Sequence, residues 1–190
     1  MKRWMMLLVV TLPLIATAAP PRQTADLPHQ RSSENGVQEP ARILRDAVTA
    51  LTSFSHEAKG HDEAALRRFL GQQVLPIFDF ERMAYWAMGR AARTATPQQQ
   101  QEITIRIREE FTQMLVTRLQ QFKGEHIEYL KPRKNRNGNV ILALRAVDRQ
   151  QQRPPITLLF KLHQRHDGWK IFDVVANGYS VINYFRQQLG

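Results

Sequence analysis

The chain has 190 residues, no cysteine, 43% hydrophobic residues and a formal net charge of +10. Without cysteine there is no disulfide and no thiolate chemistry, so stability must come from a core. The basic balance suits an anionic surface. Its aromatics, however, sit in amphipathic segments rather than interleaved with Arg and Lys on one strand face, which excludes a nucleic-acid reader.

The first eighteen residues have the form of a secretory signal. Lys2 and Arg3 precede an apolar run from Met5 to Ile15, and Ala16-Thr17-Ala18 supplies the small residues of a cleavage site. The run is shorter than the roughly 20 residues needed to span a bilayer. An exported protein is therefore expected, with residues 19–40 a disordered polar linker and 41–190 a single domain.

Ile43, Leu44, Ala47, Val48, Leu51 and Phe54 recur at helical spacing, predicting an amphipathic helix over 41–58 that Gly60 ends. Asp62 can cap a second helix with Leu66, Phe69, Leu70 and Val74 inward, stopped by Pro76. Asp79 can cap a third, with Phe80, Met83, Ala84, Ala87 and Met88 on one face. Thr96, Pro97 and Gln99 form the strongest start signal, a capping box with proline at the first helical position. The helix it opens runs to about Phe122 with Ile103, Ile107, Phe111, Met114, Leu115 and Leu119 in its stripe.

After Gly124 the period becomes two. Residues 126–133, 139–148, 156–164 and 169–177 read as four strands, with turns at Asn137-Gly138 and Asp167-Gly168. Short connections make an antiparallel meander with one face under the helices. A last helix carries Val181, Ile182, Phe185 and Leu189. The fold class is α+β, with helices packed on a four-stranded antiparallel sheet around an apolar interior.

No nucleophile–base pair, phosphate loop or metal-ligand spacing stands out, and no cofactor is implied. His163 and His166, at a strand end without a third ligand, read as surface residues. Asp79 reads as a cap. Asp173 is expected on the strand face of Trp169 and Ile171, needing a partner such as Arg93 or Arg186. Lys131, Arg133, Lys134 and Arg136 crowd a hairpin and suit acidic partners, anionic lipid or plain solvent.

Two stretches carry a family pattern. Leu75, Pro76, Asp79, Phe80 and Met83 are followed by Gly89, Arg93, Ala95, Thr96 and Pro97. Trp169, Lys170, Asp173, Val174, Gly178, Ser180 and Arg186 complete it near the C-terminus. In this the chain resembles the MlaC-type periplasmic phospholipid-binding proteins, the toluene-tolerance family, over residues 41–190. It departs from the pattern at Ala92, where the family has Trp, and at Met88, Asn177 and Tyr184-Phe185.

The resemblance implies a non-enzymatic shuttle. It would carry phospholipid between an outer-membrane lipoprotein complex and an inner-membrane ABC transporter, holding the acyl tails between sheet and helices. Ala92 leaves room for another lipid, such as a hopanoid. The walls expected on this reading are Phe78, Phe80, Met83 and Met88, then Phe111, Met114, Leu115 and Leu119, and from the sheet Leu142, Leu144, Leu158, Phe160 and Trp169. A diffusing shuttle is expected to be a monomer. Two other classes compete with it: a small enzyme using Asp79 with His126 or Tyr129, and an adaptor with a solid core.

Overall fold

A computed structural model describes residues 28–57, 62–121, 124–148 and 154–189. The signal sequence and Gly60 lie outside them. The first helix, α1 (Pro28–Glu57), begins well before residue 41 and contains Pro40. Residues 28–40 are therefore helical, which corrects the linker expectation. Pro40 removes one helical hydrogen bond, to the carbonyl of Gly36 four residues earlier. Burial compensates: Pro40 and Leu44 are buried, with Val37 and Ala41 half-buried beside them. Tertiary packing, not local propensity, carries this helix.

Asp62 caps α2 (Glu63–Phe69), its carboxylate accepting from the Ala64 N–H. A wider π turn (Leu70–Val74) and a 3-10 turn (Leu75–Ile77) then lead to α3 (Phe80–Met88). The 3-10 turn Gly89–Arg93 precedes α4 (Pro97–Gln120), whose Thr96/Gln99 capping box has both reciprocal bonds.

The sheet has six strands in the order β1-β3-β4-β5-β6, with β2 also on β3. They are β1 (His126–Tyr129), β2 (Arg133–Lys134), β3 (Val140–Val147), β4 (Ile156–Arg165), β5 (Gly168–Ala176) and β6 (Tyr179–Ser180). All named pairs are antiparallel. The single strand expected over 126–133 is broken in two because Pro132 has no N–H to give the ladder. Asn177 (φ 48°) and Gly178 (φ 90°) are both left-handed. They make the two-residue hairpin that turns β5 into β6, rather than leading straight to the last helix. That helix, α5 (Val181–Leu189), closes the chain.

The register fixes the faces. Val140, Leu142 and Leu144 pair with Leu162, Phe160 and Leu158, and these continue to Ile171, Val174 and Ala176 on β5. This face joins Met83, Ile107, Phe111 and Val116 from the helices in one core. Between Leu162↔Ile171 and Lys161↔Asp173 the register shifts, so Phe172 is an extra residue in a β-bulge. Asp173 consequently lies with Lys161 and His163 on the opposite face to Trp169 and Ile171, which corrects the alternation expected from sequence.

Candidate functional site

Two groups of side chains stand out, at opposite ends of β4. The first is polar. Asp79 and His163 are only 5% and 9% exposed, although they are 84 residues apart in the chain. Asp79 caps α3 by accepting from the Arg82 N–H at 2.9 Å. Its other oxygen takes His163 Nε2 at 2.7 Å and Arg165 Nη1 at 3.1 Å.

A carboxylate acceptor requires Nε2 to carry the imidazole proton. Nδ1 then faces Arg82 Nη1 at 3.4 Å as an acceptor. Burial pushes the His163 pKa down and the Arg82 and Arg165 charges add to this, against the bond to Asp79. The net effect favours the neutral imidazole. For Asp79, burial works to raise the pKa, but the bonds from Arg82, His163 and Arg165 outweigh it and lower the value.

Phe172, the bulge residue, packs edge-on to His163, and the Arg82 guanidinium lies 4.9 Å from its ring centroid. Arg82 Nε is buried without an acceptor. The ring face gives that cation its compensation. His163 is thus not the surface residue expected from sequence, whereas His166 is exposed. Neither His126 nor Tyr129 approaches Asp79; both are on β1, at the far edge of the sheet.

Asp173 is also locked. Lys161 Nζ donates to it at 2.8 Å, Ser180 Oγ at 2.9 Å and the Ile182 N–H at 3.3 Å, which fastens the start of α5 to β5. Its partner is Lys161, not Arg93 or Arg186. Arg186 instead donates to the Trp86 carbonyl at 2.7 Å.

The second group is apolar. Twelve of the thirteen expected wall residues fall in one contiguous apolar body; Met88 is the exception. Phe78, Phe80 and Phe111 form its aromatic centre, with ring centroids 4.8–5.8 Å apart. Burial is graded. Along β3, Val140, Leu142 and Leu144 are buried and Ala146 is half-buried. Along β4 the same end opens from Leu162 and Phe160 through half-buried Leu158 to Ile156, 45% exposed.

The helices repeat the gradient. Ile107 and Phe111 of α4 are buried, while Met114, Leu115 and Leu119 are half-buried, with Val116 alone fully covered. Phe54 of α1 stacks on Phe69 of α2 at 4.3 Å, both half-buried. Within the sheet, apolar cover is thinnest where β3 ends and β4 begins. Met88 lies elsewhere, in a groove of about 370 Å³ between α3 and α4. A second groove, about 500 Å³, lies over Asp79, Arg82 and His163.

Comparisons with known proteins bear on the fold and the family. A solved phospholipid-binding protein from Ralstonia solanacearum, in complex with a phospholipid, has the same fold. The TM-score is 0.67 at 20% identity, over 77% of this chain and 83% of that one. No curated protein matches the sequence. The MlaC protein family model matches residues 44–190. The chain belongs to the MlaC family of phospholipid-binding proteins. No helix among the described residues is long and apolar enough to cross a membrane.

Proposed function

We propose that the protein is a periplasmic phospholipid carrier. Exported by its leader, it takes lipid between an outer-membrane lipoprotein complex and an inner-membrane ABC transporter, and so maintains outer-membrane lipid asymmetry. Within the family assignment, one observation carries this reading: the graded cover of the apolar body. A tail of about sixteen carbons in water costs about 12 kcal/mol at 0.8 kcal/mol per CH₂. A carrier must enclose such a tail and yet have a place where it enters.

The half-buried residues of this body support that use. Leu115, Leu119 and Leu158 with Phe54 and Phe69 can part at small cost, because they already lack complete cover. Phe78, Phe80, Phe111, Leu142, Leu144, Phe160 and Trp169 are the deeper walls, with Met83 and Met114 able to adapt to chain length. No catalytic step is assigned. The Asp79–His163 pair has both imidazole nitrogens engaged, and its bonds hold α3 and β4 together.

The test is to purify the protein, extract it under denaturing conditions and identify what is released by mass spectrometry. Phospholipid in near-stoichiometric amount is expected. Protein that yields none, and takes none from vesicles, would sink the proposal. The same spectrum separates phospholipid from a hopanoid.

A further inference from the structure

The outer edge of the sheet carries a second surface. From Tyr129 to Val147 the sequence contains no acidic residue. Lys131, Arg133, Lys134 and Arg136 are all exposed along the β1–β2 edge, and none makes an ion pair among the described residues. Helix α1 runs beside this edge: Gly36 lies against Lys134, and Arg45 is near Tyr129. The exposed charges of α1 there are Glu39, Arg42, Arg45 and Asp46, which cancel. Glu128, on the same strand, is paired with Arg145 at 3.9 Å, so Lys131, Arg133, Lys134 and Arg136 form a local positive cluster.

Set among these cations are Tyr129 and Leu130, 44% and 39% exposed. An acidic protein surface would satisfy the cations but press the two apolar side chains against charged ones. An anionic bilayer offers phosphates to the Lys and Arg heads and an acyl boundary to Leu130, with the tyrosine at headgroup level. We infer that the β1–β2 edge is a docking surface for an anionic lipid bilayer. Tyr129 shares a cross-strand row with Leu144 and Leu158, whereas Arg133 and Lys134 are in register with Lys161 and Leu162, so the cations lie toward the fully covered end of the apolar body. The docking does not depend on what that body holds; only its use in loading or unloading lipid rests on the carrier reading.

The test is co-sedimentation of the purified protein with vesicles, phosphatidylglycerol mixed into phosphatidylcholine against phosphatidylcholine alone, at low and high salt. Binding is expected on the anionic vesicles only, and is expected to weaken as salt screens it. Replacing two of the cations, Lys131→Gln with Arg133→Gln, should lower partitioning about thirtyfold. Replacing all four should abolish it. Tyr129→Ser with Leu130→Ser should weaken binding while keeping its salt dependence. Unfolding curves and co-purified phospholipid should match wild type in every variant.

Wild-type protein with no preference for anionic vesicles overturns the inference. So does a fourfold variant that binds as wild type does, or one that keeps binding but self-associates. The last result would mean that the cations only keep the strand edge from pairing. Wild-type protein that sediments with vesicles yet carries no lipid would tell against the carrier reading alone.

Discussion

The two ends of β4 are closed in opposite ways. At the Arg165 end, directional bonds converge on one buried carboxylate, and a displaced atom would leave an unpaired charge. At the Ile156 end, the cover is apolar and incomplete, and displacement loses only contact area. The first end is held by directional bonds and the second by contact area. Burial alone does not separate the two ends; the kind of interaction does.

The largest effect expected is at the tight part of the apolar body. Phe160→Ala should lower stability by about 3–5 kcal/mol in urea unfolding, as for other buried aromatics. Leu119→Ala, at a half-buried position of α4, should cost under about 1 kcal/mol because less area is lost, yet release co-purified lipid. Equal losses at both positions would erase the distinction between covered and half-covered residues.

Asp79→Ala should come next, at about 3 kcal/mol, since it removes the α3 cap and strips His163 and Arg165 of their shared partner. Asp79→Asn, which keeps a capping oxygen, should recover part of that. A full loss in both variants would show that charge, not capping, closes this end.

The pH response is smaller and has a definite sign. The folded pKa of His163 lies below its ordinary 6.5, so the unfolded chain binds more protons as pH falls below that value. Stability contributed by neutral His163 is present above pH 6.5 and declines below it, until the folded group also protonates. Asp79, also lowered, extends the decline below its ordinary 3.8. Melting temperature should therefore fall on acidification from pH 7 to 5, and His163→Gln should flatten that segment. An unchanged slope would remove His163 from the account. A similarly small effect is expected from Lys161→Gln, about 1 kcal/mol, because Ser180 and the Ile182 N–H still hold Asp173.

Local signals were legible. Asp62, Asp79 and Thr96 act as the caps their positions indicate, and the apolar alternation of β3 and β4 matches the buried face. What could not be read depends on distant partners. His163 is polar at a strand end, and only Asp79, brought from 84 residues away, makes it a buried group. Pro40 looks like a linker residue until its ring is packed inside. The apolar stripes were legible, but not which of their residues would be half-covered.

The bulge at Phe172 makes β5 a strand with one spare residue. Regular pairing onward from Leu162↔Ile171 would set Asp173 beside Phe160, with its carboxylate in the core. The extra residue absorbs that half-step, so the first half of the strand can face one way and the second keep its own orientation. Excising Phe172 would leave every other side chain on its present face. Removing Ile171 instead would set Phe172 opposite Leu162 on the core face, and removing Asp173 would set it opposite Lys161 in place of the carboxylate. Length, at this one position, is a looser constraint than identity.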